Sequence, residues 1–111
     1  MIHMSAVWLV TDPLDMRAGV DTALARVVKV FGAAHPHQAY LFANRRANRM
    51  KVLVHDGTGI WLAVRRLHQG HFVWPAPSTT GCLSLSRAQL DALVLGLPWV
   101  RIGEGGIVTV V

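Results

Sequence analysis

The sequence predicts an α+β fold, with a mainly antiparallel sheet of about five or six strands and two helices packed on it. Short runs of β-branched and aromatic residues recur between turn residues, which is typical of strands joined by tight connections. Two other segments repeat apolar residues at helical spacing. At 111 residues, 52% of them hydrophobic, the chain has the length and the apolar content of one domain with its own core.

The first predicted elements are a strand and a helix. Residues 6–11 (AVWLVT) predict a strand that ends at Asp12 and Pro13. Asp12 or Asp15 then caps the predicted helix, because a carboxylate there accepts free backbone N–H groups and faces the positive end of the helix dipole. Gly32 is expected to end the helix. The predicted buried stripe of this helix consists of Val20, Leu24, Val27, Val28 and Phe31.

The middle of the chain predicts a run of short strands. The fully apolar residues 39–43 indicate a central strand, and residues 50–55 alternate with period two. Asp56, Gly57, Thr58 and Gly59 predict a hairpin turn into a strand over residues 60–67, because the glycines supply positive φ angles. A further strand is predicted over residues 71–74 and an edge strand over residues 82–85.

The last predicted element is a second helix. Ser86 and Gln89 form a capping box, with Leu85 and Leu90 as its hydrophobic staple. The residues expected to face the core are Leu90, Leu93, Val94 and Leu97. We expect one domain over residues 1–102, followed by a Gly-rich tail over residues 103–111.

Bulk properties favour an anionic partner and are compatible with a reducing compartment. The net charge is +5 and the isoelectric point is near 10.7, which favours nucleic acid as the partner. The single cysteine, Cys82, excludes an internal disulfide and has no metal-ligand spacing around it. We expect no signal peptide at the start of the chain, and no uncharged apolar run approaches the length of a membrane span. We therefore expect a cytoplasmic protein without a metal or other cofactor.

The acidic residues do not predict a catalytic site. A two-metal nuclease or transposase needs several carboxylates that converge at strand ends. The sequence does not predict such an arrangement for its six acids, which are Asp12, Asp15, Asp21, Asp56, Asp91 and Glu104. No nucleophile elbow and no phosphate-binding glycine motif is present. His35 and His37 flank a proline and are expected to be solvated. The sequence therefore predicts a protein that is not an enzyme.

The stretch from residue 40 to residue 75 concentrates the basic residues. We expect the candidate nucleic-acid contacts to be Arg45, Arg46, Arg49, Lys51, Arg65 and Arg66. Guanidinium groups bind phosphates and, bidentately, guanine edges. Contact of all six with phosphates predicts a slope of log K against log salt near −5, at about −0.9 per contact. The alternative is that these arginines form solvated faces and that Trp61 and Trp74 belong to the core rather than stacking on bases.

Several short motifs give the chain a resemblance to a known family. They are D-M-R-x-G (Asp15, Met16, Arg17, Gly19), N-R-R (Asn44, Arg45, Arg46), D-G-x-G (Asp56, Gly57, Gly59), R-R-L (Arg65, Arg66, Leu67) and F-x-W-P (Phe72, Trp74, Pro75). Their order and spacing over residues 7–99 resemble the small TnpB accessory proteins, encoded by the second open reading frame of bacterial insertion sequences of the sixty-six family (IS 66). The resemblance implies a bacterial, noncatalytic role in transposition beside a separate, larger transposase.

Two functions remain open under this resemblance. The protein binds DNA through the basic loop and strands, or it is an adaptor that docks onto the transposase without touching DNA. A homodimer through a sheet edge is compatible with either. The D-M-R-x-G motif has two interpretations as well: Asp15 caps the helix, Met16 packs and Gly19 allows close approach of a strand, or Arg17 contacts DNA or Asp56.

Overall fold

Five strands form one sheet in the order β4-β3-β2-β1-β5 in the computed structural model, which describes residues 4–101. The strands are β1 (Ala6–Val10), β2 (Gln38–Ala43), β3 (Arg49–His55), β4 (Ile60–Arg66) and β5 (Cys82–Leu85). Helix α1 (Val20–Phe31) connects β1 to β2, helix α2 (Arg87–Val94) follows β5, and a 3-10 turn covers Trp99–Arg101. Strands β1 and β2 are parallel, and the other three strand pairs are antiparallel. The α+β prediction is confirmed, with five strands.

The sheet has a hydrophobic cluster on each face. On one face, α1 contributes Ala23 and Val27 to a cluster with Val10, Leu14, Tyr40, Phe42 and Leu53. On the other face, Leu93 of α2 packs with Leu9, Leu41, Met50, Phe72 and Trp99. Strand β2 lies in the middle of the sheet and is covered on both sides. Its run of consecutive apolar residues follows from this position.

Helix α1 differs from its prediction at its start. It begins at Val20 with Gly19 as the N-cap residue, and no side chain caps it. Neither Asp12 nor Asp15 is at the N-cap position, so the predicted cap is wrong. The predicted stripe is wrong in part, because Ala23 and Val27 are buried whereas Val20 and Val28 are exposed. The predicted end is confirmed at Gly32, where φ is 84°.

Helix α2 begins as the sequence predicts. The Ser86 hydroxyl accepts the Gln89 N–H at 3.1 Å, and the Gln89 side chain accepts the Ser86 N–H at 2.9 Å. Leu85 and Leu90 both belong to the hydrophobic cluster on this face. The helix ends at Val94, and Gly96 takes φ 77° in the turn that follows. Leu97 therefore lies beyond the helix and is exposed, contrary to the prediction that it faces the core.

Residues 71–74 do not form the predicted strand. The Phe72 N–H donates to the carbonyl of Ala47 at 2.7 Å, and the Trp74 indole N–H donates to the carbonyl of Val10 at 3.0 Å. These bonds hold the segment across the sheet on the α2 side instead of along its edge. Strand β4 consequently remains an edge strand. The predicted tail, residues 103–111, lies outside the described residues.

The two glycines of the β3–β4 turn differ in what they require. Gly57 has φ +98°, and a Cβ atom there would lie 2.7 Å from Cε1 of His37. At Gly59 a Cβ atom would meet nothing within 4 Å, and its φ is outside the left-handed region. Only at position 57 do the backbone conformation and the neighbouring side chain therefore require a glycine.

We predict that Gly57→Ala lowers the free energy of unfolding by about 1–2 kcal/mol, because an alanine is strained at positive φ. The matched variant Gly59→Ala is expected to change stability little, because its position is open and unstrained. Urea denaturation of both variants measures the difference. Equal losses in the two variants would contradict this account of the turn.

Candidate nucleic-acid interface

The β2–β3 connection is a turn that Asn44 organises. The Ala47 N–H donates to the carbonyl of Asn44 at 3.0 Å and closes the turn. The Asn44 Oδ1 atom accepts the N–H groups of Asn48 and Arg49 at 3.1 and 3.3 Å, and its Nδ2 donates to Asn48 Oδ1 at 2.6 Å. Arg45 and Arg46 therefore lie at the tip of a defined turn, and both are exposed.

Two contacts hold this turn against the rest of the fold. The Ala47 carbonyl accepts the Phe72 N–H, and Ala47 itself takes the left-handed conformation with φ 54°. On the other side, the Leu14 N–H donates to the carbonyl of Ala43 at 2.9 Å. Leu14 immediately precedes the D-M-R-x-G motif, so this bond places that motif beside the β2–β3 turn.

The D-M-R-x-G motif forms its own turn before α1. The Ala18 N–H donates to the carbonyl of Asp15 at 2.9 Å, and the Arg17 N–H donates to Asp15 Oδ1 at 2.8 Å. The Arg17 guanidinium also pairs with the Asp15 carboxylate, with Nη2 to Oδ2 at 2.7 Å. Hydrogen bonds from the Arg17 side chain and backbone lower the pKa of Asp15 to about 2. Asp15 therefore orients Arg17 instead of capping the helix, and Arg17 does not pair with Asp56.

The other residues of the motif have simpler roles. Met16 packs against the α1-side cluster, as predicted. Gly19 is the N-cap residue of α1, but a Cβ atom there would meet nothing within 4 Å. The predicted close approach of a strand at Gly19 is therefore wrong.

Two of the sequence motifs meet in one groove. A cleft of about 600 Å³ separates the segment before α1 from the β2–β3 turn. It is lined by Pro13, Leu14, Asp15, Met16, Arg17, Asn44, Arg45, Arg46 and Arg49. Four of these nine residues are arginines and one is an acid. The groove thus joins D-M-R to N-R-R, although Arg17 and Asn44 are 27 positions apart in the sequence.

Lys51 does not belong to this exposed surface. Only 7% of the residue is accessible, and its Nζ donates to the carbonyl of Ala18. Lys51 lies on the α1 side of β3, where the segment that leads into α1 covers it. Lys51 is therefore left out of the candidate contact surface, and its bond to Ala18 holds that segment against the sheet.

Arg65 and Arg66 lie on opposite faces of β4. Arg65 pairs with Met50 on the α2 side, and its Nε donates to the carbonyl of Val94 at 2.5 Å. A cation at the last carbonyls of a helix is favourable, so Arg65 stabilises the end of α2. Arg66 pairs directly with Arg49 on the other face. The strand register therefore places Arg66 beside Arg49 of the groove, whereas Arg65 lies on the other face of the sheet.

The tryptophans divide between core and surface. Trp99 is buried, and the half-buried Trp74 packs against the α2-side cluster and bonds to Val10. Pro75 follows it and is also half-buried. Trp61 is 55% exposed, and its Nε1 donates to Asp56 Oδ2 at 2.6 Å. Trp61 is thus on the surface rather than in the core, on the α2 side of β4 and away from Arg49 and Arg66.

The Asp56 carboxylate accepts hydrogen bonds from several donors of the β3–β4 hairpin. Its Oδ1 accepts the N–H groups of Thr58 and Gly59 at 2.9 and 2.7 Å, as well as the Thr58 hydroxyl. Hydrogen bonds from the Thr58 backbone, the Trp61 indole and the Gly59 backbone lower the pKa of this carboxylate far below its usual value. Asp56 is therefore fully engaged in the hairpin.

We expect the carboxylates of Asp15 and Asp56 to make the stability of the fold depend on pH. Because the pKa values of Asp15 and Asp56 are lower in the folded chain, their contributions are complete above the unfolded value, about 3.9, and are lost as the pH falls through the folded values. Asp56→Asn should therefore be less stable than the wild type at pH 6, with the gap closing toward pH 2. Thermal melting across this pH range measures the gap. A gap that is constant over the range would contradict the role of Asp56.

Sequence reasoning missed two participants in this region. The organising role of Asn44 could have been recognised, because an Asn at the first position of a tight turn commonly bonds to nearby backbone N–H groups. The role of Arg65 as the partner of the α2 terminus had no local signal, because Val94 is 29 positions away. Among residues 4–101, no three His, Cys, Asp or Glu side chains are placed to hold a metal ion.

Comparisons with known proteins found a matching family and similar proteins from one bacterial strain. Residues 5–104 match the family described as IS66 Orf2 like protein. The chain is 36% identical over 95 residues to the uncharacterized protein y4hO of Sinorhizobium fredii (strain NBRC 101917 / NGR234), covering 84% of this chain and 81% of that protein. It is 31% identical over 98 residues to the uncharacterized protein y4jC of the same strain, covering 86% and 82%. No solved structure matches.

Proposed function

Because the chain belongs to the IS66 Orf2-like family, which implies an accessory role in the transposition of IS66 insertion sequences, we propose that it is a noncatalytic DNA-binding accessory protein. Its contact surface is the groove between the segment before α1 and the β2–β3 turn, extended by Arg66. A larger, separate transposase performs the chemistry. The element's DNA and the transposase are then its partners in the bacterial cytoplasm.

The observation that carries this proposal is a set of four arginines without acidic partners. Arg45, Arg46, Arg49 and Arg66 are exposed, and none of them forms an ion pair with a residue in the described range 4–101. Arg49 and Arg66 are direct cross-strand neighbours, an arrangement of like charges that costs stability. An anionic ligand would remove that cost. Phosphate groups of DNA supply the charge and accept bidentate hydrogen bonds from guanidinium groups.

The form of the groove supports contact with the DNA backbone. Arg45 and Arg46 occupy the tip of a turn that Asn44 holds from within, so their backbones are ordered before binding. Arg17 lines the opposite wall, and Asp15 orients its guanidinium. Pre-ordering of the binding groups lowers the entropy cost of association.

The salt dependence of binding tests the proposal. Four unpaired arginines on phosphates predict a slope of log K against log salt of about −3.6 on duplex DNA, smaller in magnitude than six contacts would give. Gel-shift titrations on duplexes from the ends of the insertion sequence, at several salt concentrations, measure it. Undetectable binding, or binding that is independent of salt, would overturn the proposal for the isolated protein.

A second candidate function is an adaptor that docks onto the transposase without contacting DNA. The observation that favours it is that three apolar residues close together in the sequence after α2, Leu95, Leu97 and Val100, are all exposed. Exposed apolar residues grouped in this way are typical of protein contacts. Under this function the arginines would act as interface anchors, a role in which arginine is common.

Co-purification with the transposase distinguishes the two functions. The adaptor predicts a complex that survives nuclease treatment and that Leu95→Ser with Leu97→Ser disrupts. The DNA-binding proposal predicts that the same double variant retains the wild-type affinity for duplex DNA. If the two proteins never associate, with or without DNA, the adaptor function is excluded.

A further inference from the structure

Strand β4 presents an open edge to solvent. It lies at the end of the sheet, and among residues 4–101 no backbone hydrogen bond covers its outer side. Trp61 and Val64 on this strand are 55% and 61% exposed. The opposite edge, β5, has four residues, whereas β4 has seven. A long edge with exposed apolar side chains is a template for another strand.

The hydrogen-bond pattern shows which groups of β4 are available. The Asp56 N–H donates to the carbonyl of Gly59 at 3.0 Å, which makes these two a hydrogen-bonded pair. Bonded and non-bonded pairs alternate along an antiparallel ladder. With the observed register, the residues whose N–H and C=O groups point away from β3 are Ile60, Leu62, Val64 and Arg66.

We propose that this edge pairs with the same edge of a second copy of the chain, antiparallel and centred on Ala63. In this register Ile60 faces Arg66 of the second copy, Trp61 faces Arg65, and Leu62 faces Val64. All seven residues of β4 are paired, and the outward N–H and C=O groups of each strand meet those of the other. The result is a twofold-symmetric dimer with a continuous ten-stranded sheet.

Charge complementarity favours a second copy as the occupant. Strand β4 carries both of its arginines at one end and Trp61 near the other. Antiparallel pairing with itself separates the arginines of the two copies and sets each Arg65 beside a Trp61 ring on the same face. Such a pair gains a cation–π interaction. A parallel arrangement in register would instead place arginine against arginine, which is destabilising.

The pairing also determines how the arginines of the two copies are arranged for DNA binding, a consequence that rests on the proposed function. A twofold axis perpendicular to the sheet puts Arg49 and Arg66 of both copies on the same side. From standard strand spacings, the two Arg49 Cα atoms would be about 25 Å apart, with the turns at Arg45 and Arg46 farther from the axis. Half-sites one turn apart on duplex DNA are separated by about 34 Å. The dimer would thus present two basic surfaces at a distance that suits one face of a duplex.

Charge complementation at the twofold axis tests the pairing without DNA. Ala63 is exposed, so Ala63→Glu and Ala63→Lys should both fold, and in the proposed dimer each sets two like charges directly opposite each other. By sedimentation equilibrium in DNA-free buffer, the wild type is expected to dimerise and each variant to dissociate about fivefold more readily. An equimolar mixture of the two variants should form heterodimers about as tight as the wild type.

A proline variant supplies an independent test. Val64→Pro removes an N–H that points away from β3, so it should spare the β3–β4 ladder and raise the dimer dissociation constant about tenfold or more. Val64→Thr keeps that N–H and should dimerise like the wild type. Circular dichroism confirms that both remain folded. A monomeric wild type, or a dimer that neither the Ala63 variants nor Val64→Pro weakens, overturns the proposal and leaves the edge open to a strand of another protein.

Discussion

A variant with Arg45, Arg46 and Arg49 all replaced by alanine is expected to bind duplex DNA on the order of a hundredfold more weakly than the wild type at about 0.1 M salt. These three side chains line one groove and have no acidic partner among the described residues. If each neutralises one phosphate, their loss also reduces the magnitude of the salt slope by about 2.7. Fluorescence anisotropy at several salt concentrations measures both quantities. All three side chains are exposed, so the fold should be unaffected.

Two control variants show what kind of contact the arginines make. Lysine at all three positions preserves the charge but not the bidentate geometry, so it retains most of the affinity if the contacts are with phosphates and loses it if they are with guanine edges. Arg87→Ala removes one positive charge on the outer side of α2, where Arg87 pairs with Asp91. This variant should bind like the wild type. If it weakens binding as much as a single groove substitution does, the interaction depends on net charge and not on the groove.

Phe72→Ala is expected to lower the free energy of unfolding by about 3–5 kcal/mol. Phe72 is 2% exposed and is among the largest fully buried side chains of the molecule, in the cluster that joins α2 to the sheet. A loss of this size is a large part of the total stability of a typical domain, about 5–15 kcal/mol. Urea denaturation of the purified variant measures it.

The next residue provides the matched control for this substitution. Val73 is 37% exposed, so Val73→Ala removes less buried surface and should cost far less stability than Phe72→Ala. A small effect at Phe72 would contradict its place in the core. In that case the bond between its N–H and the Ala47 carbonyl would be the main contribution of the F-x-W-P motif to the fold.

Local interactions account for the parts of the fold that the sequence predicted. The capping box of Ser86 and Gln89 joins groups three positions apart, and the Asp56 turn joins groups within five. The strands β2 and β3 follow from the polarity of successive residues. In each case the partners are near neighbours in the chain, so their pattern in the sequence specifies the structure.

Helix α1 shows where a local pattern misleads. Asp15 has the residue type and the position of an N-cap, but Arg17 is two residues away and offers both a backbone N–H and a guanidinium. The carboxylate bonds to these donors and forms a separate turn, so the helix begins later, at Val20. A helix N-cap and the turn with Arg17 both use the Asp15 carboxylate as the acceptor, and the sequence alone does not decide between them.

The candidate interface depended on the tertiary structure. The basic residue types and the exposed 44–49 turn were evident from the sequence, and Arg45, Arg46 and Arg49 remain in the proposed site. Lys51 is not included in the proposed site because the chain before α1 covers its face of β3. Arg65 is not included because its guanidinium binds a carbonyl at the end of α2. Nothing in the local sequence shows that either of these two basic side chains has a partner within the chain.

The α+β class, most strands and turns, the capped start of α2 and the family resemblance all follow from patterns in the sequence. The shared groove of D-M-R and N-R-R, the position of Arg66 beside Arg49 and the open edge of β4 became evident only in the folded chain. Strand register and the face on which a helix packs are set by contacts between residues far apart in the chain, so no local pattern specifies them. Those contacts decide which charges are buried, which are paired and which remain free to bind.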